Sequence, residues 1–127
     1  MSDKSIAQKL LIKTGQTLLF VNAPRGYTSA LGHLPKGTTV IKTPTAPLDF
    51  IQVFVANRAE LEAQLPALKA QLAPKGMLWV TYYKGTSKVK TDINRDTINA
   101  YAHTLGLEGV AMISIDDDWS ALRLKVS

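Results

Sequence analysis

The stretch DFIQVFVANRAELEAQLPALKAQLAPKGMLWVTYY, residues 49–83, reads as a strand, a helix and a second strand in direct succession. Asp49–Ala56 is apolar on both faces, as suits a central parallel strand with helices above and below. Asn57 with Glu60 three positions on predicts a capping box, followed by a helical stripe of Leu61, Leu65, Leu68 and Leu72. Pro66 removes one backbone bond from that helix and predicts a kink. Gly76–Tyr83 is the next apolar run and the most apolar strand of the chain.

Working outward, Asn94 predicts the cap of another helix, with Ile93 and Ile98 as a hydrophobic staple and Gly106 as its end. The strands Val110–Ile115 and Ala121–Val126 follow. Only Asp116–Ser120 separates them, too little chain for a crossover helix, so they form an antiparallel hairpin. Upstream, Ile6, Leu10 and Leu11 recur at helical spacing and Gly15 is expected to stop that first helix. Gln16–Asn22 is a strand, Ala23–Tyr27 a turn leading into a short helix up to Leu34, Pro35–Gly37 a turn, and Thr38–Lys42 a short β-branched strand. Thr43–Pro47 holds two prolines and is expected to be irregular. The order predicts one α/β domain over residues 1–127: a three-layer sandwich on an open, mostly parallel sheet of about six strands, ending in the hairpin.

Composition agrees. A chain of 127 residues, 46% apolar and 20% charged, suits a globular protein and not a disordered one. The absence of cysteine excludes disulfides, thiolate catalysis and cysteine-ligated zinc. No apolar run approaches the roughly 20 residues that a membrane-spanning helix needs. Met1–Lys13 mixes charges with apolar residues, unlike a secretory signal, so a cytoplasmic protein is expected. The net charge of +5 is uneven: residues 1–48 carry +5, 49–83 balance, 84–91 carry +3 and 92–127 carry −3. Such a balance attracts phosphate, yet no Lys/Arg-rich run or aromatic interleaving marks a nucleic-acid site.

The element order resembles the Rossmann-like core of class I methyltransferases. Leu48–Val55 resembles that family's fourth strand. Leu72–Val80 resembles the leucine–x–proline–glycine–glycine turn entering its fifth, with Lys75 where the first glycine is common. The stretches NAPRGY (Asn22–Tyr27), YKGTSKVKTD (Tyr83–Asp92) and IDDDWSALRLKV (Ile115–Val126) resemble a small, poorly characterised family of bacterial domains of about this length. That resemblance implies a methyltransferase-like fold with no assigned reaction.

A methyl-donor site in such a fold needs a glycine-rich turn after the first strand and an acid at the end of the second. Here the turn holds one glycine, Gly26, beside Pro24 and Arg25, and the acid's place holds Lys42 and Thr43. No cofactor is therefore predicted, S-adenosylmethionine included. Gly32–Thr39 has the glycine spacing of a phosphate loop but precedes a strand, so it reads as a turn. Lys84–Lys90 follows a strand and offers flexible backbone, hydroxyls and lysines able to hold an anion at the carboxyl edge. Asp116–Asp118 reads as a turn whose acids make rim ion pairs, with Trp119 covering the hairpin. His33 and His103 lack ligand-like spacing, so no metal site is predicted. Arg58 stands where it could reach the same edge as Arg25, or simply start a helix.

The resulting expectation is a non-catalytic protein that binds a protein partner or an anionic small ligand at the carboxyl edge. Its candidate residues are Asn22, Arg25, Tyr27, Lys84, Thr86, Ser87, Lys88, Asp117 and Trp119. The alternatives are an enzyme with a non-standard nucleotide or S-adenosylmethionine site there, and weak nucleic-acid binding through the basic N-terminal third and the 84–90 loop. The second strand's free edge offers a place for homodimer pairing.

Overall fold

The computed structural model describes residues 5–43 and 47–126. Six strands form one sheet: β1 (Thr17–Val21), β2 (Thr39–Ile41), β3 (Leu48–Val55), β4 (Leu72–Tyr83), β5 (Leu107–Ser114) and β6 (Trp119–Val126). Their spatial order is β2-β1-β3-β4-β6-β5. Strands β1 to β4 pair in parallel, and β6 is antiparallel to both β4 and β5, so β6 alone runs against the rest. The expected α/β sheet with its closing hairpin is the observed one.

Two apolar layers flank the sheet. On one face α3 (Arg58–Gln71) and α4 (Arg95–Thr104) cover Ile51, Val53, Val55, Leu78 and Val80. On the other, the single turns α1 (Ile6–Lys9) and α2 (Tyr27–Ala30) cover Leu18, Phe50, Phe54 and Trp79. Asn57 caps α3 as expected, its Oδ1 accepting from the Glu60 amide at 2.9 Å. Glu60 reaches one residue beyond the box, to the Ala56 amide. The helix runs on across Pro66. The carbonyl that Pro66 leaves without an amide partner, that of Glu62, accepts from the Tyr101 hydroxyl at 3.4 Å, so a neighbouring helix replaces the lost bond. On α4 the Asn94 box closes through Thr97, and Ile93 and Ile98 are both buried.

Several boundaries differ from the sequence reading: α2 ends at Ala30 and not at Leu34, and β6 starts two residues early, at Trp119. Helix α1 stops at Leu10, and Leu11 (not Gly15) turns the chain, with φ of 62° and its side chain 44% exposed. The Leu10 carbonyl is then free to accept from the Trp79 indole N–H at 3.2 Å, a tertiary bond invisible to helical spacing. Strand β4 starts four residues early, at Leu72, because the chain passes from α3 straight into pairing with Leu48 before a register shift. Strand β5 likewise starts at Leu107, with an irregularity between Gly109 and Ala111. The Gly109 amide donates to Asn99 Oδ1 at 2.9 Å, which ties that bulge to α4.

Strand β2 is only three residues long. In the sheet, β1 lies between it and β3. Of the segment expected to be irregular, 44–46 lie outside the described residues. Among the described residues no helix is assigned between β2 and β3.

Gly76 sits where β4 crowds β3: a Cβ there would lie 2.7 Å from the Leu48 carbonyl oxygen and 2.8 Å from Leu72 Cδ1. Gly76→Ala should lower stability in urea denaturation by about 1–3 kcal/mol, as overpacking does. Gly85→Ala, with nothing within 4 Å of the added carbon, should leave the midpoint unchanged.

Candidate functional site

Strand order reverses between β1 and β3, and open α/β sheets take ligands at the carboxyl ends of such a pair. The chain leaves β1 through Asn22, held at φ 59°, a left-handed conformation that asparagine tolerates well. Gly26 (φ 83°) then turns it into α2. Pro24 and Arg25 stand exposed at the surface. The residue this turn buries is Tyr27, whose hydroxyl donates to Gln52 Oε1 at 2.9 Å. Gln52 is wholly buried in β3, and its Nε2 donates to Thr81 Oγ1 on β4 at 2.8 Å. Every hydrogen-bonding group in that chain is satisfied.

An aromatic file continues from Tyr27 along the carboxyl edge. Its ring meets Phe54 at 4.6 Å, Phe54 meets Trp119 edge-on at 5.1 Å, and Trp119 stacks on Tyr83 at 4.0 Å. On the α2 side, therefore, packed rings fill the crevice above β3 and β4. Trp119 covers the hairpin, as the sequence suggests, and Tyr27 is a core residue with its one polar atom engaged.

The 84–90 loop and the acidic turn do meet, through hydrogen bonds. The Lys84 amide donates to the Asp118 carbonyl at 2.8 Å, and the Ser87 hydroxyl to Asp118 Oδ1 at 2.9 Å. Ser87 Oγ also accepts from the Val89 amide, and the serine is buried. Lys84 Nζ donates to Ser114 Oγ at 2.6 Å. Within the acidic triplet, Asp116 Oδ1 accepts from the Asp118 and Trp119 amides, closing an Asx-type turn. The turn is the expected one; the rim ion pairs are not found. Among the described residues the ion pairs are Arg58 with Glu62 and Arg95 with Asp96, neither involving this rim. Thr86, Lys88 and Asp117 are exposed and carry no side-chain bond across it. Arg58 starts its helix, its amide held by Asp92 Oδ1 at 2.8 Å. No group of three or more potential metal-ligating side chains occurs among the described residues.

An opening at this edge lies on the other face. A cleft of about 420 Å³ runs between β1 and α3, lined by Leu19, Phe20, Val21, Asn22, Lys42, Gln64, Ala67, Leu68 and Gln71. Lys42, at the end of β2, is the one charged residue in that lining. Three amides, Asn22, Gln64 and Gln71, share that lining. Sequence reasoning selected Asn22 but missed the two glutamines. The signal was present: Gln64, Leu68 and Gln71 share one face of α3 at four- and three-residue spacing.

Comparison with solved structures finds a similar fold in methyltransferases. Ribosomal protein L11 methylase from Lactobacillus delbrueckii subsp. bulgaricus superposes with a TM-score of 0.61 at 10% identity, over 94% of this chain and 73% of that one. A SAM-dependent methyltransferase from Aquifex aeolicus gives 0.63 at 13% identity, over 98% and 91%. Against mitomycin 7-O-methyltransferase the score is 0.66 at 11% identity, but this chain spans only 49% of that enzyme. The likeness is one of fold: a methyltransferase-like Rossmann core. No family model and no curated protein matches the chain. No helix among the described residues is long and apolar enough to cross a membrane.

Burial raises the Tyr27 phenol well above its ordinary range; the nearby Asp116 charge adds to this and the Gln52 bond opposes it. A raised folded-state value means stability is full below the unfolded phenol's value near 10 and is lost as pH rises beyond it. Urea midpoints at pH 9 and pH 11 should therefore fall more for the wild type than for Tyr27→Phe, which cannot ionise. Equal falls would show that this phenol does not contribute.

Proposed function

We propose that this chain is a cytoplasmic, non-catalytic member of the methyltransferase-like fold that holds an anionic small ligand at the carboxyl edge, in the cleft between β1 and α3. The observation that carries the reading is Lys42, the one charge in a lining of amides and apolar groups. A lysine ammonium with side-chain amides nearby fits a phosphate or carboxylate, while Leu19, Val21 and Leu68 offer an apolar wall for the ligand's body. One ionisable side chain supplies no acid–base pair, so binding is the chemistry this lining supports. The same lysine stands where a methyl-donor site in this fold needs an acid for the ribose hydroxyls. On this reading the protein joins the small bacterial domains that its NAPRGY, YKGTSKVKTD and IDDDWSALRLKV stretches resemble.

Titration calorimetry with adenosine 5′-monophosphate and with S-adenosylmethionine tests the reading. The monophosphate should saturate one site, and Lys42→Glu should weaken it at least about tenfold, or about 1.4 kcal/mol. S-adenosylmethionine should give no heat. Micromolar binding of S-adenosylmethionine would overturn the assignment. So would monophosphate binding lost on Lys88→Glu but kept in Lys42→Glu, which moves the site to the 84–90 loop.

A further inference from the structure

A second cleft, of about 440 Å³, lies at the opposite edge of the sheet, where β3 and β4 begin and β6 ends. Four cations line it: Lys13 before β1, Lys75 at the entry to β4, and Arg123 and Lys125 near the end of β6. Asp49 is the one carboxylate of the lining. None of the four makes an ion pair among the described residues, where the pairs are Arg58–Glu62 and Arg95–Asp96. Glu108 stands opposite Lys125 in the β5–β6 register and makes no ion pair with it.

Arg123 is the informative member. It lies on an interior strand of the sheet, half-buried, with its guanidinium 4.0 Å from the Met77 sulfur. A guanidinium has five N–H donors and keeps its charge at any ordinary pH. Placing it in a cleft beside three lysines, with a sulfur as its nearest polar contact, leaves its forked donors directed at no carboxylate. Like charges gathered around one concavity repel each other and focus a positive field into it. A multiply charged oxyanion relieves both conditions, and a planar fork suits phosphate oxygens in particular.

We infer that this amino-edge cleft is a phosphate-binding site, separate from the proposed carboxyl-edge site and independent of it. The phosphate groups belong either to a small polyphosphate or to a nucleic-acid backbone, which share this recognition chemistry. Lys13 belongs to the basic N-terminal third that the sequence singles out for nucleic acid, whereas Lys75, Arg123 and Lys125 lie outside both that third and the 84–90 loop.

The test uses the full chain, with inorganic triphosphate in calorimetry and a labelled single-stranded oligonucleotide in anisotropy. Binding of at least one probe is expected, with a loss of about tenfold or more in Arg123→Ala, since charge-assisted bidentate contacts are the strong ones. Lys75→Glu, at an exposed position where folding is not at stake, should weaken binding similarly. Triphosphate binding without oligonucleotide binding identifies a small polyphosphate. Oligonucleotide binding that triphosphate displaces, and that weakens steeply with salt, identifies the nucleic-acid backbone. Failure of both probes, or binding unchanged in both variants, would overturn the site. Binding lost instead on Lys42→Glu would assign it to the β1–α3 cleft and equally overturn this one.

Discussion

Gln52 occupies the middle of β3, where the strand is covered on both faces, and both ends of its amide are engaged. A buried amide left unpaired costs about 1–3 kcal/mol, so its two partners are constrained as firmly as it is. Through it the one-turn α2 is tied to β3 and β4, since Tyr27 must bring its hydroxyl to within 2.9 Å of Oε1. The ring that comes with that hydroxyl begins the aromatic file along the carboxyl edge. Closure of the crevice on the α2 face is thus a consequence of satisfying one glutamine.

The other face differs. Strand β2 is only three residues long, and among the described residues no helix is assigned between it and β3. A cleft between β1 and the flank of α3 has partly buried Val21 and buried Leu19 in its lining, with Lys42 as its charged member. The two faces of one sheet therefore arrive at opposite states at the same edge, one filled by rings and one open. The solved methyltransferases have a similar fold, but a fold of this kind hosts many activities and the site decides among them. Here the local chemistry is a lysine among amides on the open face and a neutral, self-satisfied polar chain on the closed one.

The 84–90 loop shows what partners add to a reading made from residue types. Glycine, hydroxyls and lysines in a short loop after a strand have the composition of an anion cradle. In the fold, the Ser87 hydroxyl belongs to Asp118, Lys84 belongs to Ser114, and the loop is stitched to the hairpin turn. Two of the donor side chains, those of Lys84 and Ser87, are spent internally, and the Asp118 carboxylate sits beside them. The two aspects of Asp116–Asp118 separate in the same way. Its Asx-type turn is local and was legible; its pairing across the rim depended on side chains thirty residues away and took another form.

Sequence alone determined what short-range physics controls. Apolar runs of strand length in β3 and β4, the Asn57 and Asn94 caps, and a connection too short for a crossover each act within a few residues. Together they fixed the α/β class, the mostly parallel sheet and the closing hairpin. Tertiary structure decided where helix α1 ends, because the Leu10 carbonyl is claimed by an indole N–H sixty-nine residues away. It also decided that Gln52 is sealed in by partners on a turn and another strand, and that Lys13, Lys75, Arg123 and Lys125 gather at one edge. These outcomes hinge on which strands become neighbours. Burial of the apolar faces sets that order across the whole chain, and no local window of residues contains it.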